Sequence, residues 1–581
     1  MQHWVTGLES CADWLLARAD DQQRLICPEH GIEHTGKSAC AAILFLELFK
    51  HTGRERWAEA AVAQGRRLVA RLEREGDSPC HTFRPGRHDP YNCSNSVIDG
   101  GACSDALASL VLDLGDRLGA DDREAFQHAS VLHARTYLRY AVLDKGVPAQ
   151  RAWGLTGLAG AWALTGDQEL ADAAAEAFGV LESVQHEDGS YPYHPLDWGA
   201  GHPGAADVSC FYQSRVTGFL MFALERLGRA PSDTLYRKAL VRGTDFLRCL
   251  VGPDGIKPGL LEAKPWYWGA AYEVASHPFD VYTLASAHQH FGRAVDGYAA
   301  ARSMDAWVAH LAPDGEVRSH LPGPGRSRSY QCPLFWAGHA CWAARAPPRL
   351  AELPRDPAPA GHDGSSSLEL EVVRFPQAQL VWLQDGRVSA WVRGSRPPYN
   401  VHHGSPGGAG LIRVVRRSDG QDLLPRCRLG GHQAGEWNGW SGAPRPLAGW
   451  RAGHHELRFS AWLSRVEWRA GRKGSALATP ARIAKRGIAA FAHPRVSTSF
   501  ARDVELGLEA AGAIVRGALA WRGGKPLPGS HFERRFRLDG DGLEVEEQLV
   551  AAGAARGLRF EPPAQATGFE RSADRIRYRL A

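Results

Sequence analysis

The feature that most constrains the fold is a change in the spacing of apolar residues along the chain. Up to about residue 345, apolar side chains recur with the period of an α-helix, about 3.6 residues. Beyond residue 367 they alternate with polar ones, as in strands with one buried face. The segment 346–367 is rich in Pro and Ser and suits neither element. The sequence therefore predicts a helical domain at 1–345, a linker at 346–367 and an antiparallel β domain at 368–581.

The helical half repeats one pattern, in which an apolar helix rich in small residues alternates with a more polar amphipathic helix. A helix that is apolar nearly all round must be buried on every side. The pattern therefore favours a closed double ring of helices, an (α/α)6 toroid, over an open solenoid. The predicted inner helices are 37–49, 97–114, 153–164, 215–227, 279–291 and 334–344; the outer ones are 56–72, 123–140, 168–185, 233–250 and 295–311, with the N-terminal helix as the sixth.

The second half is predicted to fold as an antiparallel β-sandwich, because many alternating segments are separated by Gly, Asp-Gly and Pro. The predicted strands lie within 368–375, 378–385, 387–394, 410–420, 455–463, 464–470, 531–550 and 575–580.

The composition of the chain indicates which kinds of binding partner and which cellular compartment to expect. A net charge of +4 on 581 residues gives no support for a nucleic-acid partner. No apolar run approaches the roughly 18–20 residues that span a bilayer. The first 20 residues resemble an amphipathic helix rather than a signal peptide, and the 11 Cys are scattered. A cytoplasmic protein with reduced core thiols is expected, or a periplasmic or secreted one if a leader was removed. The oligomeric state stays open.

Candidate binding residues concentrate just before the inner helices, in the segments HDPYNCSNS, SYPYHPLDWG, KPWYWGAAYEVASHPFD and GRSRSYQCP. A ring of helix hairpins leaves a cleft at this position, and aromatic rings stack on sugars. The alternative is that these aromatic side chains only pack the opening of the ring. The substrate-binding candidates are Tyr91, Gln213, Trp198, Trp266, Tyr267, Trp268, Tyr272, His277 and Tyr330.

Paired carboxylates would indicate a glycoside hydrolase. The acidic residues at the predicted cleft do not form an evident pair in the sequence. They are Asp89, Asp99, Asp197, Asp207, Glu273 and Asp280.

Tyr212 and Arg215 suit a different reaction, the elimination of a sugar from a uronate. That reaction needs a group that neutralises the carboxylate, a base for the C5 proton and an acid for the leaving oxygen. Tyr212 and Arg215 are three residues apart, so they share a helical face. A cation beside a tyrosine favours the phenolate form.

A His pair, His402 and His403, lies in a Gly-rich loop before the strand at 410. A strand does not require such a pair, so the loop suggests a site at the domain interface. The alternative is an ordinary surface loop.

These residues resemble the heparinase II/III-like family of polysaccharide lyases, in the stretches HEDGSYPYHPLDWG with FYQSRVTGFL and NVHHGSPGGAGLIRV with GQDLLP. The resemblance implies a toroid with a C-terminal β-sandwich and a catalytic Tyr212. It matches Asn400, His402 and His403 to the family's His-rich loop. Some members bind a structural zinc in the β domain, to which Asp422 and His432 could contribute. No other cofactor is implied.

The chain departs from the family motif at three places. Asn92 and Asn95 stand without the family's histidine, Gln213 stands where a histidine often follows the tyrosine, and His194-Pro195 replaces Ser-Pro. The base is therefore Tyr212 itself, His194 or His402.

The predicted function is β-elimination on a uronic-acid-containing polysaccharide, with an acidic polysaccharide or oligosaccharide as the partner. The alternatives are a hydrolase or a uronate C5-epimerase on the same fold, or a non-catalytic glycan-binding protein. The candidate catalytic residues are Tyr212, His402, Arg215, Asn92, Asn95 and His194, with His403 assisting from the β domain.

Overall fold

The protein is described by a computed structural model that divides into two compact units. The first comprises Met1–Trp198, Ser209–Arg248 and Trp268–Ala358; the second comprises Gly199–Val208, Cys249–Tyr267 and Pro359–Ala581. The structure describes residues 2–28, 33–83, 97–144, 147–199, 206, 208, 210–258, 271–318, 333–346, 371–393, 410–424, 437–438, 531–539, 541–550, 559–560, 563, 565–572 and 575–581. The predicted linker 346–367 lies almost wholly outside these residues and stays a prediction.

The described part of the N-terminal half is helical, as predicted. Its α-helices are α1 Gln2–Leu16, α2 Thr35–Thr52, α3 Glu55–Val69, α4 Ile98–Leu114, α5 Ala120–His133, α6 Arg139–Asp144, α7 Pro148–Thr165, α8 Gln168–Ser183, α9 Cys210–Arg226, α10 Arg237–Leu250, α11 Ala271–Phe291, α12 Ala294–Val308 and α13 Pro333–Ala344.

Six of these helices form a closed inner ring. In order around the ring, α2, α4, α7, α9, α11 and α13 each pack against the next, and α13 packs against α2. The outer helices lie against this ring: α3 on α2 and α4, α5 on α4 and α7, α8 on α7, and α12 on α11. The inner helices are buried nearly all round, which their apolar sequences require.

Small residues set the distance between the inner helices. A Cβ at Gly101 in α4 would lie 2.9 Å from the backbone oxygen of Trp153 in α7. A Cβ at Gly157 would lie 2.9 Å from the backbone oxygen of Gly101. The two backbones therefore meet where neither residue has a side chain.

Two local features of the helical half differ from the prediction. The single outer helix predicted at 123–140 is α5, a π-helical turn at Ala134–Leu138 and then α6. A short hairpin of β1, Leu72–Arg74, and β2, His81–Phe83, follows α3 where only a helix end and a loop were expected.

The described part of the second unit is built from antiparallel strands: β3 Glu371–Phe375, β4 Leu380–Gln384, β5 Val388–Arg393, β6 Gly410–Arg416, β7 Trp437–Asn438, β8 His531–Leu538, β9 Leu543–Val550, β10 Arg559–Phe560, β11 Thr567–Arg571 and β12 Arg575–Leu580. Two sheets have four strands each, in the orders β3-β4-β5-β6 and β11-β12-β9-β8. Buried side chains from both, such as Val414 and Tyr578, belong to one hydrophobic core. The strands predicted at 455–463 and 464–470 lie outside the described residues.

A search of the described helices finds none that combines the length and the apolar character needed to cross a membrane.

Candidate active site at the start of the inner helices

The inner helices run parallel, so their first turns lie at the same end of the ring. Gly36 at the start of α2 lies against Asp99 at the start of α4, and Gly101 in α4 lies against Gly154 in α7. We call this end the ring mouth, defined by the N-terminal turns of α2, α4, α7, α9, α11 and α13. Charged side chains lie in the first turns of two of these largely apolar helices, Lys37 in α2 and Asp99 in α4.

Arg215, in the second turn of α9, is the central cation of the ring mouth. Its side chain is buried, with Cζ lying 3.8 Å from the ring centroid of Phe211 and 4.6 Å from that of Phe279. Its Nη2 donates to Nε2 of His339 on α13, at 3.4 Å. Aromatic faces attract a guanidinium, and they do so more strongly away from water. The charge of Arg215 is thus held inside the protein by rings and one imidazole.

Tyr212 is partly exposed and lies beside this cation. Its ring centroid is 5.5 Å from Cζ of Arg215. On its other side the ring of Tyr193, from the loop before α9, lies at 5.1 Å and is tilted by 43°. Tyr212 and Arg215 therefore come together as their spacing predicts, with the phenol nearer to solvent than the guanidinium.

Lys37 brings a second positive charge to the ring mouth. Its Nζ lies 3.8 Å from Oδ1 of Asp99, and both side chains are almost fully buried. The same Nζ lies 4.6 Å from the ring centroid of Phe335, a partly exposed residue of α13. The Phe335 ring also contacts His339, with centroids 4.1 Å apart.

Sequence reasoning missed Lys37 and His339, because it searched the loops before the inner helices. Each interrupts an apolar helix: Lys37 in TGKSACAAILFLELF and His339 in PLFWAGHACWAA. A buried polar side chain is costly unless it is paired, so these interruptions were a usable signal.

The described contacts of Gln213 are hydrogen bonds to backbone groups. The side chain is fully buried. Its Oε1 accepts from the backbone N–H of Tyr191 at 2.9 Å, while Nε2 donates to the backbone oxygens of Gly189 at 2.9 Å and Gly243 at 3.2 Å. These bonds attach the loop before Tyr193 to α10. They give Gln213 a role in shaping the ring mouth, and its predicted contact with substrate stays a prediction.

His277 is also fully buried, with its ring 5.7 Å from that of His310. Its predicted role in substrate binding stays a prediction.

His194 and Trp198 lie in the loop that carries Tyr193, and both are partly exposed. Nδ1 of His194 donates to the backbone oxygen of Pro195 at 3.0 Å, which leaves Nε2 to face other groups. The Trp198 ring stacks on the guanidinium of Arg151, with Cζ at 3.6 Å from the centroid. Both residues keep positions compatible with their predicted roles, which stay predictions.

The remaining candidates cannot be placed. For Tyr272 the structure describes only a backbone position in the first turn of α11. Nine others lie outside the described residues: Tyr91, Asn92, Asn95, Trp266, Tyr267, Trp268, Tyr330, His402 and His403.

Another histidine, His133, lies behind the first turn of α4. It is fully buried between Phe83 and Tyr137, and its Nδ1 shares a hydrogen bond of 2.8 Å with Oγ of Ser104. Burial lowers the pKa of His133 to about 3. The imidazole is therefore neutral in the folded protein at ordinary pH, which suits a packing residue.

The described residues contain no group of three His, Cys, Asp or Glu side chains that could hold a metal ion. Asp422, a zinc-ligand candidate, lies with Oδ2 3.6 Å from Nε of Arg413, and its Oδ1 accepts from the backbone N–H of Leu424. The structural zinc in the β domain stays a prediction. The second candidate, His432, is outside the described residues.

No known protein family matches the sequence, and no curated protein matches it. Among solved structures, the chain resembles a polysaccharide lyase at 14% identity, with 61% of this chain and 99% of that one covered and a TM-score of 0.42. It also resembles a cellobiose 2-epimerase from Spirochaeta thermophila (13% identity, 58% and 93% covered, TM-score 0.43). A third is an unsaturated glucuronyl hydrolase from Bacillus sp. GL1 (15%, 59% and 95%, TM-score 0.42). The three likenesses are too weak to choose among these reactions.

Proposed function

We propose that this protein is a polysaccharide lyase that cleaves a uronic-acid-containing polysaccharide by β-elimination at the ring mouth. The observation that carries the proposal is the pairing of a partly exposed Tyr212 with a buried Arg215 at 5.5 Å. We propose further that the described sheets belong to a C-terminal β-sandwich, which would complete the predicted architecture.

The proposed reaction uses Tyr212 to move protons. Its phenolate removes the C5 proton of a uronate, the electron pair forms the C4–C5 double bond, and the bond from C4 to the glycosidic oxygen breaks. The departing oxygen takes a proton from Tyr212 or from a second acid, for which His194 and His402 are the candidates. When Tyr212 acts alone, the proton that it takes from C5 passes to the departing oxygen and the phenolate is restored. When a second acid donates instead, Tyr212 releases the C5 proton to solvent and the acid takes one up from solvent.

Positive charge at the ring mouth supports this chemistry by stabilising negative charge that develops on the uronate carboxylate. Arg215 is buried, so its charge is little screened by water, whereas the charge of Lys37 is paired with the Asp99 carboxylate. The additional neutralising contacts are assigned to Asn92 and Asn95. His403 and the aromatic residues Trp198, Trp266, Tyr267 and Trp268 are proposed to bind neighbouring sugars. The reaction as written needs no cofactor.

The test is to incubate the protein with a panel of uronate polymers and follow the ultraviolet absorbance of the unsaturated product. Tyr212→Phe keeps the ring that packs on Tyr193 and removes the hydroxyl, so it should lower turnover by at least about 100-fold. Tyr140→Phe is the matched control, because Tyr140 lies exposed on outer helix α6. It should leave turnover unchanged.

Other reaction products would contradict the proposed lyase activity and indicate another function. New reducing ends without absorbance would identify a hydrolase, and solvent deuterium at C5 without cleavage would identify an epimerase. Binding of a polymer that is equal in the parent and Tyr212→Phe, with no product of any kind, would identify a glycan-binding protein.

A further inference from the structure

His339 is a polar residue in the middle of the last inner helix. Its side chain is fully buried, and three aromatic rings surround it: Phe335, Phe279 and Trp153, with centroids at 4.1, 4.9 and 5.9 Å. A fourth aromatic ring would pack equally well in such a place. Burying an imidazole there costs free energy unless it makes a useful polar contact.

The polar contact is with Arg215, and its chemistry fixes the state of His339. A guanidinium has donors and no acceptor, so Nε2 of His339 must be the acceptor of the 3.4 Å bond from Nη2. The imidazole is therefore neutral and carries its proton on Nδ1. A second proton would place two cations next to each other in a buried site, which is strongly unfavourable.

This bond adds a directional contact to those of the rings around Arg215. Attraction between a cation and an aromatic face holds the charge near the ring but sets the direction of the guanidinium only weakly. A hydrogen bond has a preferred direction and length. The bond to His339 thus selects one orientation of the guanidinium, the one in which Cζ lies 5.5 Å from the Tyr212 ring.

We propose that His339 is a positioning residue that holds Arg215 beside Tyr212, acting as a neutral hydrogen-bond acceptor. His339 is fully buried and acts through Arg215, and its importance for turnover rests on the proposed function.

Two substitutions distinguish the effect of the hydrogen-bond acceptor at His339 from the effect of its aromatic packing. His339→Gln keeps an acceptor close to the place of Nε2, and His339→Phe keeps the aromatic packing without an acceptor. We expect His339→Gln to retain kcat within about threefold, and His339→Phe to lose about 100-fold in kcat with KM little changed, because a small misplacement of a charged group is costly.

A purely structural role predicts a different pattern. Both variants would then lower the thermal midpoint, and kcat per folded molecule would stay at the parent value. That pattern, or equal loss of kcat in both folded variants, would overturn the proposal.

A second measurement does not depend on activity. Long-range ¹H–¹⁵N spectra of the full chain labelled with ¹⁵N-histidine report which ring nitrogen carries the proton. The histidine signal that is present in the parent and absent from His339→Gln belongs to His339. In the parent it should show protonation at Nδ1 only, from pH 8 to pH 6. Protonation at Nε2, or at both nitrogens, would contradict the proposal. If no uronate polymer is a substrate, the proposed function fails, while this spectrum still decides the state of His339.

Discussion

Gln213 and Arg215 lie two residues apart in α9 and are both buried, but their side chains contact different kinds of group. The amide of Gln213 is bonded to three backbone groups, which fixes a loop. The guanidinium of Arg215 lies against aromatic faces, donates to one imidazole, and has its Cζ 5.5 Å from the ring centroid of Tyr212. The sequence could predict that Tyr212 and Arg215 share a face. It could not separate Gln213 from them, because the partners of Gln213 come from 22 to 30 residues away.

His133 gives a prediction about pH at the scale of one residue. Its folded pKa is lowered from 6.5 to about 3 by burial. Below pH 6.5 the unfolded chain binds a proton that the folded protein does not, so stability falls as the pH drops from about 6.5 toward 3. Between pH 7 and pH 5 the loss from this one residue should be about 2 kcal/mol.

His133→Asn keeps a partner for Ser104 and removes the titrating ring. The variant should therefore lose about 2 kcal/mol less than the parent between these two pH values, measured by urea denaturation. His128→Asn, on the exposed side of the same helix, is the control and should follow the parent. Equal pH dependence in the parent and His133→Asn would show that His133 is not held neutral by burial.

At the scale of elements, the sequence predicted the number and order of the helices well, because each inner helix is marked by a long apolar run. It placed the starts of three inner helices too late, including α7, which was predicted from residue 153 and begins at Pro148. The prediction began α11 at Phe279, yet α11 begins at Ala271 and continues through Pro278, although proline disfavours a helix interior. It began α9 at Arg215, whereas the helix begins at Cys210 and includes Tyr212.

The contact between α4 and α7 gives a prediction at this scale. In Gly101→Ala the new Cβ would meet the backbone of Trp153 at 2.9 Å, and backbone in a closed ring moves only with its helix. We expect the free energy of unfolding to fall by about 1–3 kcal/mol.

Gly179→Ala is the matched control, because Gly179 lies in outer helix α8 with open space around its Cβ position. There alanine should raise the stability by about 0.5–1 kcal/mol through its helix propensity. Thermal and urea unfolding of the two variants and the parent measure both changes in the free energy of unfolding. A Gly101→Ala variant as stable as the parent would mean that the two helices do not meet as closely as described.

At the scale of the whole molecule, the burial that the apolar inner helices require predicted a closed double ring, but local patterns do not specify which contacts close it. Closure is the packing of α13 on α2, the last inner helix on the first. The same limit holds for the second unit, which includes Cys249–Tyr267 from the N-terminal half of the sequence. Within that unit, Trp391 Nε1 donates to the backbone oxygen of Cys249 at 2.7 Å, and Arg413 pairs with Asp254.

A buried ion pair connects non-adjacent members of the inner ring. Arg345, directly after α13, lies with Nη2 2.8 Å from Oδ2 of Asp105 in α4, and both side chains are almost fully buried. Burial opposes the charge of Arg345, but the nearby Asp105 carboxylate raises its pKa, so the cation persists. Asp105→Asn would leave that cation buried without its counter-charge. The free energy of unfolding should fall by about 3–5 kcal/mol.

Replacing both partners tests whether the charge or the packing matters. Asp105→Leu combined with Arg345→Met removes both charges and keeps most of the apolar volume against Phe222 and Trp342. The double variant should recover most of the loss, because a buried pair can often be exchanged for apolar side chains at little net cost. Urea unfolding of the parent, Asp105→Leu, Arg345→Met and the double variant forms a complete double-mutant cycle for the interaction. A single-variant loss below about 1 kcal/mol would show that the pair is not an important connection across the ring.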